Sequence, residues 1–157
     1  MDIPADIRPF WDAFERVAGE AVRERFYEVF HFADNERHAN ALAKLVLDGT
    51  KCATASLLWS YEADAKPLPH TGAYSVVTAW DSTPLCVIET TAVQVVPYNE
   101  VTDAFAAVEG EGDGSLSYWR RVHWAYFRRE CARIGNEVTA DMPVVCEEFA
   151  VVYPKQA

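Results

Sequence analysis

Positive charge is in short supply in this sequence: 14 Lys and Arg stand against 24 Asp and Glu, a formal charge of −10. A protein that grips many phosphates carries a basic surface, so extended duplex binding, duplex DNA included, is not expected. A short single strand or one nucleoside survives that argument, because a small site needs only local charge or stacking. Closely spaced cysteines are also missing. Cys52, Cys86, Cys131 and Cys146 lie far apart and form no C-x-x-C pair, the spacing used by zinc sites; no metal site or cofactor is read from the sequence, and any need for a metal is left open. Three of the four lie in apolar runs and read as buried thiols. No apolar run reaches 18 residues, and the opening "MDIPADIRPF" has acidic residues and proline where a secretory signal has a basic end and an apolar stretch. The expectation is a cytoplasmic protein with reduced thiols and no membrane partner; the oligomeric state is left open.

What is present is apolar and aromatic. Half of the 157 residues are hydrophobic, with 5 Trp, 7 Tyr and 8 Phe, which is enough for one domain with a real core. From Phe10 to Phe30 the positions Phe10, Phe14, Val17, Ala18, Ala21, Val22, Val29 and Phe30 follow one helical face, which predicts an amphipathic first helix. A second helix is predicted over Glu36 to Asp48, opened by Asp34 and Asn35 and closed by Gly49. Then the texture changes. "YSVVTAW" and "LCVIETTAVQVV" are rich in β-branched and aromatic residues, and the "DSTP" between them predicts a hairpin whose second strand, apolar on both faces, is central. "VVCEEFAVVYP" predicts a final strand.

"EGEGDG" mimics the start of a calcium loop at Glu109, Glu111 and Asp113. Position twelve of such a loop must supply a carboxylate, and here it is Arg120, so the segment reads as a flexible acidic loop. Ser115 then opens a long helix that stops at Gly135. One of its faces gathers Leu116, Trp119, Tyr126, Phe127 and Ile134, with His123 and Glu130 inside that face and Arg121 and Arg128 opposite. Either His123 and Glu130 are hydrogen-bonded residues at the rim of the core, or the face lines a pocket where a base could stack, with Trp119, His123, Tyr126 and Arg120 binding substrate.

Lys51 stands among small residues in "GTKCATAS", at a junction between elements where working side chains are common. Glu89, midway along the apolar strand, needs a partner or a proton. Lys51 is the attractive partner, and Thr54 would supply a hydroxyl three residues on. Lysine as base, threonine as nucleophile and glutamate as orienting group would follow the logic of a catalytic triad.

"LVLDGTKCATASLLW", "LCVIETTAVQVVPYNEV", "EGEGDGSLSYWRRVHWAYF" and "DMPVVCEEFAVVYP" together resemble the bacterial branch of the ASCH domain family, relatives of the PUA domain. The likeness runs from about Phe32 to Pro154 and includes a G-x-K-x-x-T motif at Gly49, Lys51 and Thr54. One departure is Ala33 in "HFADN", where relatives usually carry glycine. The resemblance implies an α+β fold, a small PUA-like β-barrel flanked by helices, with an N-terminal helical extension over 1–31 and the ASCH domain over 32–157. It also implies three functions. One is cleavage of single-stranded RNA, pointing to Lys51 and Ser115; another is removal of the acyl group from N4-acylcytidines, pointing to Lys51, Thr54 and Glu89. The third is binding of RNA or a modified nucleoside without catalysis.

Overall fold

The computed structural model describes residues 2–19 and 22–155. Their internal contacts fall into two compact units. The first comprises Met1–Gly49, His70–Thr91 and Phe149–Ala157, the second Thr50–Pro69 and Ala92–Glu148. The element order is α1 (Arg8–Ala18), β1 (Phe26–Phe30), α2 (Glu36–Leu47), β2 (Ala53–Leu57), α3 (Leu58–Ala63), β3 (Tyr74–Thr78), β4 (Pro84–Pro97), α4 (Asp103–Glu109), α5 (Leu116–Ile134) and β5 (Pro143–Tyr153). Strand hydrogen bonding follows the order β1-β3-β4-β5-β2, with β1 parallel to β3 and the β3/β4 and β2/β5 pairs antiparallel. This is an α+β fold of the PUA-like kind, with the sheet left open at β1 and β2. The expected hairpin is β3/β4, and β4 is central as its two-faced apolar pattern requires.

In the first unit the predicted helix over 10–30 is corrected. Helix α1 starts earlier, with Pro9 in its first turn, and buries Trp11 and Phe14, with the capping residue Ile7 buried at the same helical spacing, while Val17 is exposed. It stops at Ala18 because Gly19 takes φ 95°, a conformation that suits glycine and ends a helix. Beyond it, Val22–Arg25 form a 3-10 turn, and the aromatic run Phe26–Phe30 is a strand paired with β3. Ala21 lies outside the described residues. Among the described residues, the α-helical part of the expected extension is α1. Helix α2 matches its signals: Asn35 caps it by accepting from His38 N–H at 3.0 Å. Ala33 keeps the left-handed backbone, φ 61°, that glycine would occupy without strain. One core of this unit joins Ile7, Trp11, Phe14, Tyr74, Val76 and Val87; another joins Phe32, Ala43, Val46, Val77, Ile88 and Phe149.

In the second unit β2 alternates buried and half-buried positions, and α5 buries Trp119, His123, Phe127 and Cys131 along one stripe. Ser115 caps α5 through Tyr118 N–H at 3.1 Å, and Gly135 closes it at φ 79°. Leu57, Tyr98, Val101, Trp119, Phe127, Met142 and Val144 form the core. Cys86, Cys131 and Cys146 are buried, and burial pushes the thiols of Cys86 and Cys146 up to about 12, so neither is a thiolate at neutral pH. No helix among the described residues is long and apolar enough to cross a membrane.

Candidate functional site

Lys51 shares its parity with Ala53, Ala55 and Leu57, the buried positions of β2. Period two therefore turns its side chain inward with theirs. The residue is 2 % exposed, so each of its three N–H donors needs an internal acceptor. Nζ finds three: the Ala53 carbonyl at 2.7 Å, Glu109 Oε2 at 3.1 Å and Glu111 Oε2 at 3.4 Å.

Glu109 is the last residue of α4 and Glu111 lies on the turn that follows it. Cys52 N–H donates to the Val108 carbonyl at 2.9 Å, which ties that turn to the chain entering β2. Gly110 ends α4 in the left-handed conformation, φ 67°, and a Cβ there would lie 2.1 Å from the Thr50 carbonyl oxygen. Only glycine permits this approach, and it brings the flanking Glu109 and Glu111 to Lys51. The flexible acidic loop expected from "EGEGDG" is thus corrected to a packed turn at 109–111. Glu109 is 1 % exposed.

Helix α5 completes the cluster. Trp119 Nε1 donates to Glu109 Oε1 at 2.7 Å, and His123 Nε2 lies 3.2 Å from Glu109 Oε2 and 3.8 Å from Glu111 Oε2. The His123 ring lies flat on Trp119, with centroids 4.1 Å apart and 14° between planes, while Nδ1 donates to the Trp119 carbonyl at 2.9 Å. Both ring nitrogens therefore face acceptors. That arrangement favours the imidazolium: burial, the largest single influence, lowers the His123 pKa, but the charge and hydrogen bond of Glu109, the charge of Glu111 and the Trp119 carbonyl together outweigh it and raise the pKa. Burial is also the largest influence on the two carboxyls. At Glu109 it is outweighed by Lys51, His123 and hydrogen bonds, which hold the group well below the usual carboxylate range. At Glu111 burial and the neighbouring Glu109 carboxylate push the acid up to about 7. Glu111 is thus a proton-carrying group near neutrality, and its side chain is the most exposed of the four at 11 %.

Glu109, Glu111 and His123 offer ligand atoms within 4.8 Å of one another, a set that could hold a metal ion. The Lys51 ammonium already meets one oxygen of each carboxylate, so the lysine supplies positive charge where an ion would.

The structure brings Lys51, Trp119 and His123 together and places the other sequence candidates elsewhere. Thr54 has the opposite parity on β2, half-buried and opposite Glu147 of β5. Ser115 is half-buried as the α5 cap. Tyr126 packs half-buried against Phe127 at 5.8 Å, and Arg120 is exposed, its carbonyl accepting from Tyr98 Oη at 2.6 Å. Glu89 has its own cation in the first unit: Arg25 lies 3.4 Å from its carboxylate, stacks 4.2 Å over the Tyr74 ring and donates to the Gly72 carbonyl at 2.7 Å. Sequence reasoning therefore assigned Lys51 a different glutamate from those that hold it. The available signal was the alternation of glycine with acid in "EGEGDG": three glycines in six residues mark tight backbone approach as readily as looseness.

Comparison with known proteins agrees with this architecture. The family model described as ASCH domain matches residues 28–153. The crystal structure of an ASCH domain from Lactobacillus crispatus JV V101 is 37% identical, with 96% of each chain covered and a TM-score of 0.88. Protein EF3133 from Enterococcus faecalis V583 is 33% identical over 93% of this chain and 87% of that one, with a TM-score of 0.84. The hypothetical protein PH0355, 13% identical with a TM-score of 0.52 over 81% of this chain and 99% of that one, shares the fold alone. No curated protein matches the chain. With four-fifths of its length matched by the family model and two relatives above 30% identity, the chain belongs to the ASCH domain family.

Proposed function

We propose that this ASCH domain, a member of a generally RNA-binding family, is a hydrolase that cleaves single-stranded RNA at the Lys51–Glu109–Glu111–His123 cluster. The observation that carries this reading is the burial of four ionisable groups together, with two carboxyls in adjacent positions driven apart in proton affinity. Such separation assigns acid and base roles, and burying this much charge for stability alone is a poor bargain. Lys51, fixed by Glu109, supplies positive charge for the phosphate. Glu111 and His123 hold the protons to be exchanged, and Glu111, the most exposed of the four, is the group a substrate would displace to reach the lysine. The family resemblance adds Ser115 as the residue that would position the ribose hydroxyl, while its side chain here caps α5.

A second reading is favoured by one specific contact, a carboxylate held 3.1 Å from the lysine ammonium. That is the lysine–glutamate half of an N4-acylcytidine amidohydrolase, with Glu109 in place of Glu89 in the orienting role; Thr54, the nucleophile the resemblance points to, has the opposite parity from Lys51 on β2. An uncharged nucleoside also suits a chain of net charge −10.

The deciding experiment assays wild type, Lys51→Ala, Glu111→Gln and Thr54→Ala, prepared identically, against a short single-stranded RNA and N4-acetylcytidine. RNA cleavage lost in Lys51→Ala and Glu111→Gln but kept in Thr54→Ala supports the first reading. Deacylation lost in Thr54→Ala supports the second. Conversion of neither substrate by wild type leaves binding without catalysis. Melting curves accompany each variant, since Lys51→Ala strands two buried carboxylates.

A further inference from the structure

We propose that the first unit carries a second RNA contact, in which Trp80 and His31 form a stacking platform for an unpaired base of single-stranded RNA. This rests on the RNA reading above and adds a site to it. Among the described residues the exposed large hydrophobics are Val17, Trp80 and Val95, of which only Trp80 is aromatic, at 38 % exposure. It stands in the turn between β3 and β4, with its ring 4.7 Å from that of His31, also exposed. Hydrogen bonds hold the turn that carries it. Trp80 N–H donates to Asn40 Oδ1 of α2 at 3.0 Å, Ser82 N–H to the Ala79 carbonyl at 3.0 Å and Thr83 N–H to Asp81 Oδ1 at 3.0 Å. The last bond turns the Asp81 carboxylate back into its own turn.

Charge beside the platform suits a phosphate backbone. At 100° per residue Arg37 and Lys44 lie within about 20° of each other and about 40–60° from Asn40 on α2, away from the buried Ala39, Ala43 and Val46. Both are exposed. Lys44 pairs with Asp48 at 2.8 Å, but in a pair whose side chains are 76 % and 49 % exposed, which exchanges readily for a phosphate. Aromatic stacking with nearby cations is how sequence-tolerant single-strand sites are built. A protein partner would call for a contiguous apolar patch of several hundred Å², whereas Trp80 is followed by exposed Asp81, Ser82 and Thr83.

The test is fluorescence anisotropy with a labelled 2′-O-methyl RNA of ten nucleotides, which resists cleavage, on wild type, Trp80→Ala, Trp80→Phe and Arg37→Ala. Stacking predicts that Trp80→Ala binds about tenfold more weakly, that Trp80→Phe recovers most of the loss, and that Arg37→Ala lowers the salt slope by about 0.7, all without a change in melting temperature. Equal binding by wild type and Trp80→Ala, or a loss that Phe does not recover, overturns the platform and leaves the proposed function standing. No RNA binding by wild type overturns both.

Discussion

Each of the two units holds a glutamate against a cation, with different consequences. In the second unit Lys51 meets Glu109 with both side chains 1 % exposed, and Glu111, His123 and Trp119 fill the remaining hydrogen-bonding positions. In the first unit Arg25 meets Glu89 with 42 % and 32 % of their side chains exposed, and the guanidinium also covers the Tyr74 ring. Water screens the first-unit pair and can replace either partner. Almost no water reaches the second-unit cluster, so each charge there depends on the others. The same contrast holds for backbone. Ala33 and Gly110 are both left-handed, yet the first carries a Cβ and the second has no room for one.

Substitutions sharpen this comparison. The largest loss is expected from Lys51→Ala, about 3–5 kcal/mol, because it leaves buried carboxylates without a counter-charge; urea melts at neutral pH read it directly. Gly110→Ala follows at about 3 kcal/mol or more, since backbone rather than a movable side chain blocks the new methyl group. A loss below about 1 kcal/mol would mean that the turn can retreat from Thr50, and the close approach would cease to explain the site.

Glu111→Gln tests the proton. Its acid is raised in the folded chain, so the unfolded chain ionises first as pH rises from about 4.5 towards 7, and wild type loses stability across that window. The variant cannot ionise. It should gain on wild type between pH 5 and 8, by as much as about 3 kcal/mol at the upper end. Glu109 acts in the opposite sense. Its lowered acid contributes stability above its unfolded value, lost as pH falls through the folded one. A stability difference between wild type and Glu111→Gln that does not vary with pH would contradict this assignment.

The first unit should respond mildly. Ala33→Gly relieves a left-handed alanine and should be neutral to stabilising, by about 1 kcal/mol at most once the extra freedom of the unfolded glycine is subtracted. Glu89→Gln should cost under about 1 kcal/mol, as exposed ion pairs do. A cost near that of Lys51→Ala would erase the distinction between the two units.

Much of this was legible in local sequence. The ends of α2 and α5 follow from Asn35, Ser115 and Gly135, and the β3/β4 hairpin from its β-branched runs around "DSTP", because caps and turns are chosen by neighbours within a few residues. Residues 10–30 were not legible as a whole. "RFYEVF" is compatible with helix or strand until β3, some 48 residues further on, pairs with it in parallel. In the site, Trp119 and His123 stood out by helical spacing and Lys51 by the family motif, but Glu109 and Glu111 lie 58 and 60 positions from Lys51 in the chain. Periodicity carries no information over that span.

The sequence by itself determined the family, the strand-rich centre, the long aromatic helix and a lysine at a junction between elements, since composition, capping and motif spacing are local properties. Tertiary structure decided which carboxylates hold that lysine and which hold a proton near neutrality. Those outcomes depend on burial and on distances of 3 to 4 Å between groups from three separate elements, and only the folded chain fixes either.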